Sequence, residues 1–184
     1  MKNKKYKLLN HFYETTMSEN KITTVNFSVD IKKYSSIADL PDAYKALLAD
    51  AYDAQNNAYA PYSNFKVGAS LLLESGEVFK GNNQENAAYP SGLCAERVAF
   101  FAYGASGNSS KVKAVAVVAG SMDFRLEGIL SPCGGCRQVL AEYECKQNQS
   151  IELILKSDSD EVYVIPSIAD TLPFAFQCEF LKKG

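Results

Sequence analysis

Histidine and tryptophan are almost missing from this chain. Its one histidine, His11, lies in a polar N-terminal stretch, and there is no tryptophan. Imidazole therefore cannot supply a metal site or a proton relay in the body of the protein; thiolates and carboxylates must do that work. Long apolar runs are missing too. None approaches the roughly 20 residues that a bilayer-spanning helix needs, so no membrane span is expected. Residues 1–20 carry charge but no apolar centre of signal-peptide type, which predicts a cytoplasmic protein with reduced thiols. Basic charge is not in excess either: the formal net charge is -2 and the pI about 5.5. Binding to a phosphate backbone calls for a concentrated basic surface, so no nucleic-acid partner is expected. Lys2, Lys4, Lys5 and Lys7 form a small cluster that reads as a solvated tail.

What is present suits one soluble domain. At 184 residues, 47% of them hydrophobic, the chain can bury a core without disulfides. Residues 1–20 read as a flexible tail and 21–38 as an N-terminal extension; 39–184 read as the main domain. In the extension Val25, Phe27, Val29 and Ile31 alternate with polar residues, the period-two pattern of a half-buried strand, at a sheet edge or against a neighbouring subunit. A helix is expected from Asp42 to about Tyr59, with Tyr44, Leu47, Leu48, Ala51 and Tyr52 as its inward stripe. Lys66 to Leu73 and Glu77 to Lys80 read as strands joined by a tight Glu74-Ser75-Gly76 turn. Further helices start near Cys94 and Cys133. Val112 to Ala119 is almost continuously apolar and reads as a buried central strand. Ile151 to Leu155 and Val162 to Ile165 are the last strands, and a short helix follows near Pro166 to Asp170. This order predicts an α/β fold, a three-layer α/β/α sandwich with a mixed five-stranded sheet.

The chemistry concentrates in Cys94-Ala95-Glu96 and Pro132-Cys133-Gly134-Gly135-Cys136. Cys133 and Cys136 stand at i and i+3, on one face of a helix, so both sulfurs can reach one ion. Helix N-termini favour thiolate over thiol. Cys94, Cys133 and Cys136 together offer three ligands, which leaves a tetrahedral zinc one position for water; a closed structural site needs a fourth. Cys145 lies more than two turns beyond Cys136 and cannot share its ion on a continuous helix. Spacing does not exclude Cys178. Both read most simply as small packed residues. Glu96 can sit beside the metal without ligating it and carry a proton. Alone, it would read as a charge complementing the helix dipole.

Four ordered blocks extend this pattern: residues 58–69 (AYAPYSNFKVGA), 81–90 (GNNQENAAYP), 93–97 (LCAER) and 131–139 (SPCGGCRQV). Together they resemble the cytidine deaminases, specifically the small homotetrameric class with three cysteine ligands. The resemblance covers about residues 42–181. It implies one Zn²⁺ per subunit on Cys94, Cys133 and Cys136, with Glu96 as the proton shuttle. It implies that Asn83 and Glu85 bind the ribose hydroxyls, that Phe65 packs on the pyrimidine ring, and that the main chain around Ala95 and residues 131–133 holds the exocyclic amine. Phe176, with Phe174 as a competitor, matches a C-terminal aromatic that enters a neighbour's site; Tyr89 matches a position near that boundary. Three thiolates and Zn²⁺ leave one excess negative charge, which Arg97 and Arg137 are expected to offset; a cation at 4 Å is worth roughly 4 kcal/mol at an effective dielectric of 20. The implied reaction is hydrolytic deamination of cytidine and 2′-deoxycytidine in pyrimidine salvage, by a homotetramer with shared sites. A deaminase of a modified cytosine such as blasticidin S, a structural zinc module and a nucleic-acid editor are the rival readings. The residue 1–38 extension and a polar insert-like stretch, residues 122–128, depart from the family pattern.

Overall fold

The computed structural model describes residues 13–16, 23–176 and 181. Six strands form the main sheet: β3 (Lys32–Tyr34), β4 (Phe65–Leu73), β5 (Val78–Asn82), β6 (Val112–Ser121), β7 (Glu152–Lys156) and β8 (Val162–Ile165). Their order is β3-β8-β7-β6-β4-β5, and only the β6–β7 pair is parallel. Three helices cover it: α1 (Asp42–Asn56), α2 (Ala95–Ala105) and α3 (Gly134–Gln147).

Side-chain alternation assigns each helix to a face. On β6, Ala114, Ala116 and Val118 point toward α1, packing with Leu47, Leu48 and Ala51. Val115 and Val117 point the other way, into a core with Ala99 and Phe100 of α2 and Leu140 of α3. Neighbouring strands keep the same parity: Leu71, Leu153 and Leu155 join the α2/α3 side, and Ile154 joins the α1 side. The near-continuous apolar run of β6 is thus explained by burial on both faces. Tyr44 and Tyr52 flank the α1 stripe as half-buried residues, and Ala54 extends it.

Two glycines matter to the geometry. Gly76 takes φ +87° in the β4–β5 turn, where a side chain would be strained. Gly81 on β5 lies directly beneath α2: a Cβ there would stand 2.4 Å from Ala99 N and 2.6 Å from Ala95 O. The missing side chain lets α2 sit close to the sheet and sets the height of its first turn. Phe100 then packs on Tyr143 of α3 with ring centroids 5.0 Å apart, fixing α2 against α3.

Glu144 locks α3 at its far end. This buried carboxylate accepts from Ile151 N at 2.9 Å, Ile168 N at 2.8 Å and Ser167 Oγ at 2.5 Å. It joins the helix to the start of β7 and to the 3₁₀ turn Ile168–Thr171.

Four expectations need correction. The sheet has six strands rather than five, because Lys32–Tyr34 adds an antiparallel edge to β8. The alternating stretch from Val25 to Ile31 is not one strand. β2 (Thr23–Asn26) pairs with β1 (Tyr13–Thr16) in a separate two-stranded sheet, and residues 27–31 are irregular. Period two marks the capacity for a strand, not its formation; Val25, Phe27 and Ile31 stay exposed, while Val29 packs against the α2/α3 core. Residues 13–16 of the expected tail are paired as β1, and the rest of residues 1–20 lies outside the described residues. Lastly, Cys145 is disulfide-bonded rather than a reduced thiol, and Cys178 lies outside the described residues.

Candidate metal and active site

Cys94 and Cys133 are the N-cap residues of α2 and α3, and Cys136 lies in the first turn of α3. Neither cap side chain bonds the helix it caps, so both sulfurs are free to face the gap between the two helix starts. The three ligand atoms lie within 4.8 Å of one another, and none of the three cysteines is in a disulfide. The Cys94 and Cys133 sulfurs are 3.9 Å apart. A tetrahedral zinc with Zn–S bonds of about 2.3 Å separates its sulfurs by about 3.8 Å. Donor type, number and spacing thus fit a zinc ion, with one position left for a further ligand.

The electrostatics of the cluster have identifiable sources. The Cys94 thiol is pulled well below its ordinary value, first by hydrogen bonding from Cys136 and then by the Arg97 guanidinium, against the effect of burial. Cys136 is pushed up by that same bond to Cys94, by burial and by the charge of Glu96. Arg97 donates from NH2 to Cys94 Sγ at 3.6 Å, as the charge argument expects. Its Nε is buried without a hydrogen-bond partner among the described residues.

Glu96 is 4% exposed. Burial raises its pKa, with the Cys94 charge adding to the effect; its own backbone N–H, Cys136 and Arg97 oppose the rise. A carboxyl raised in this way holds a proton more readily than a free one, as a proton carrier needs. Glu96, Cys94, Cys133 and Arg97 all line a cavity of about 630 Å³, within the size range of small-ligand sites.

The opposite wall comes from β4, the end of β5 and the loops beside them. Phe65, Val67, Asn83 and Glu85 line it, with Tyr62, Ser63 and Tyr89. Asn83 clasps β4: its Oδ1 accepts from Val67 N at 2.8 Å, and its Nδ2 donates to Phe65 O at 2.8 Å. Glu85 accepts from Tyr62 N at 2.8 Å, from Ser63 N at 3.3 Å and from the Ser63 hydroxyl. These bonds hold its carboxyl below the usual range, the Ser63 hydroxyl contributing most. Tyr89 meets Tyr62 edge-on at 6.2 Å.

The structure does not gather every expected site residue. Arg137 differs most. It donates from Nε to Pro132 O at 2.8 Å and from NH1 to Thr171 O at 2.9 Å, so its bonds go to carbonyls rather than sulfurs. It ties the loop before Cys133 to the C-terminal segment. Ala95 is fully buried beneath the site, and its side chain is not on the cavity wall. Phe174 and Phe176 are exposed and do not line their own chain's cavity. Gln138 holds Phe176 through the backbone, from Nε2 to Phe176 O at 2.7 Å and from Phe176 N to Oε1 at 3.0 Å. Sequence reasoning missed Gln138, which reads as a surface residue of α3. It also gave no task to Tyr62 and Ser63, although both stand in one of the quoted blocks.

Comparison with known proteins agrees with this geometry. Residues 41–150 match the family described as "Cytidine and deoxycytidylate deaminase zinc-binding region". The chain is 46% identical over 137 residues to a cytidine deaminase of Sporosarcina psychrophila, covering 74% of this chain and 93% of that protein. It is 40% identical over 134 residues to one from Halalkalibacterium halodurans, covering 72% and 93%. The crystal structure of cytidine deaminase from Burkholderia pseudomallei superposes with a TM-score of 0.62 at 42% identity, over 72% of this chain and 98% of that one. Sequence, fold and thiolate cluster agree: this chain belongs to the cytidine and deoxycytidylate deaminase family.

Proposed function

We propose that this protein is a zinc-dependent cytidine deaminase that converts cytidine and 2′-deoxycytidine to uridine and 2′-deoxyuridine, releasing ammonia. The observation that carries this reading is the meeting of three sulfurs at two helix starts, with buried Glu96 beside them on the cavity wall. Cys94, Cys133 and Cys136 would hold one zinc ion per chain, which when bound supplies Lewis-acid activation of a water molecule. Glu96 accepts a proton from the attacking water and delivers it to ring N3. The water oxygen bonds to C4, and the C4–N4 bond breaks. Glu96 then carries the second proton to the departing amine, so that one water is consumed and one ammonia released. Arg97 balances the thiolate charge through Cys94. Phe65 packs on the base, Asn83 and Glu85 meet the ribose, and the main chain at Ala95 and residues 131–133 holds the amine.

The catalytic unit in this reading is residues 39–184, with 21–38 as an extension and 1–20 as a tail. A homotetramer with shared sites is supported by apolar side chains exposed near the cavity mouth, among them Tyr59, Tyr62, Tyr89 and Leu93, and by the outward-facing Phe174 and Phe176. No helix among the described residues is long and apolar enough to cross a membrane. We place the enzyme in the cytoplasm, in pyrimidine salvage.

The test is turnover of cytidine by zinc-loaded protein beside its Glu96→Gln variant, with metal content measured on both. The variant should keep its zinc and fold and lose about 10²- to 10⁴-fold in kcat. Undiminished turnover by folded, zinc-loaded Glu96→Gln protein would overturn the assigned proton path. A panel with modified cytosines tests the rival substrate.

A further inference from the structure

The polar stretch 122–128 lies between β6 and α3, and its surface position suggests a solvated loop. Met122 is 84% exposed. Yet the stretch is pinned from two sides. Asn64, in the left-handed region at φ +52°, accepts from Met122 N through its backbone oxygen at 3.4 Å and donates from Nδ2 to Asp123 Oδ2 at 3.2 Å. The turn after β7 holds the other end: Asp158 Oδ2 accepts from Leu126 N at 2.8 Å, and Ser157 Oγ donates to Gly128 O at 2.8 Å. Arg125 adds a bond to Asp158 O at 3.3 Å. So many fixed points on a surface loop need a reason.

The loop's one aromatic supplies it. Phe124 stacks on Phe65, with ring centroids 6.4 Å apart and planes at 29°, a favourable aromatic geometry. Phe65 lines the cavity and Phe124 does not, so Phe124 can act on a ligand only through Phe65. We propose that Phe124 is a positioning residue: it backs Phe65 and holds that ring as a preformed wall for the pyrimidine. Phe65 is half-buried at the first position of β4, where an unbacked ring would have to be ordered at each binding event. Preforming the wall strengthens binding by removing that cost. It acts alike on ground and transition states, so its loss appears in KM rather than kcat.

The inference rests on the reading of Phe65 as the residue that packs on the base. Steady-state kinetics on Phe124→Ala, Phe124→Tyr, Phe65→Ala and the Phe65→Ala/Phe124→Ala double variant separate the two, with zinc content and melting temperature measured alongside. Phe124→Ala should raise KM for cytidine about three- to tenfold and leave kcat within about twofold. Phe124→Tyr should restore KM, and in the Phe65→Ala background the second change should add nothing. An unchanged KM in Phe124→Ala beside a raised KM in Phe65→Ala overturns the role of Phe124 alone. So do additive effects in the double variant, or a kcat loss that tracks lost zinc. An unchanged KM in Phe65→Ala overturns the reading of Phe65, and with it the inference.

Discussion

The two walls of the cavity are built by different means. The metal wall is made from helix starts: Cys94 and Cys133 cap α2 and α3, and Cys136 and Glu96 sit in the first turns. Its positions are set by deep packing, through Gly81 under α2 and Phe100 against Tyr143. The nucleoside wall is made from loops and strand ends held by polar bonds, with Asn83 clasping β4 and Glu85 gathering Tyr62 and Ser63. Helix packing gives rigidity to groups that must not move during proton transfer. In the proposed reading, loop bonds give a surface that can exchange partners with a sugar. Damage to the first wall should therefore appear in metal content and kcat, and damage to the second in KM.

The largest effect should come from Cys136→Ser. Cys136 is buried and central to the sulfur cluster, and hydroxyl is a poor zinc ligand beside thiolate. Zinc content should fall below one tenth of an equivalent and turnover below about one thousandth of wild type. Retention of a full equivalent of zinc with normal turnover would show that Cys136 is not a ligand and that the metal wall has been misdrawn.

The two arginines sharpen the comparison, because each follows a cluster cysteine closely in sequence and yet they make different bonds. Arg97 touches Cys94; among the described residues Arg137 bonds carbonyls, of Pro132 and Thr171. Arg97→Gln should lower kcat about 10- to 100-fold at near-normal zinc content, the usual range for a residue that tunes a metal ligand. Arg137→Gln should lower stability by about 1–3 kcal/mol and kcat only a few-fold at a temperature where the protein is folded. Both are read by kinetics together with thermal melting. An equal kcat loss in the two variants, with stability unchanged in both, would mean that total positive charge matters and the bonding pattern does not.

The same division explains what could be read beforehand. Helix starts write themselves into sequence, because a cap, a first-turn carboxylate and an i, i+3 cysteine pair have fixed spacings. Hence the meeting of the three cysteines, the place of Glu96 beside them and the order of elements from α1 to β8 were legible. The role of Arg137 was not, since spacing shows that it is near Cys136 but not which carbonyls lie within its reach. Glu144 was equally hidden: a glutamate on a helix reads as a surface charge, and only the fold brings Ile151, Ser167 and Ile168 around it. The contact between Phe124 and Phe65 joins a loop to the start of β4, and no local pattern encodes it. Residues 27–31 failed for a related reason, since alternation marks the capacity for a strand and not its formation.

The smallest effect should come from the nucleoside wall, and it carries a pH signature. Glu85 is held below the ordinary carboxylate range by the Ser63 hydroxyl first and the Tyr62 N–H second. A carboxyl lowered on folding contributes its full stabilisation above its unfolded value, about 4.3, and loses it as pH falls through the lower folded value. KM for cytidine should therefore stay flat as pH falls from neutrality through the ordinary carboxylate range and rise only below that range. Glu85→Gln should raise KM about three- to fivefold at neutral pH, and the acid rise should vanish because no proton remains to be gained. KM is the informative readout here. Protonation of the metal thiolates at low pH removes active protein and lowers the maximal rate, whereas protonation of Glu85 weakens binding by the protein that remains active. A Glu85→Gln variant with wild-type KM and an unaltered acid rise would remove Glu85 from the nucleoside wall. A variant that lost zinc instead would show the two walls to be mechanically one.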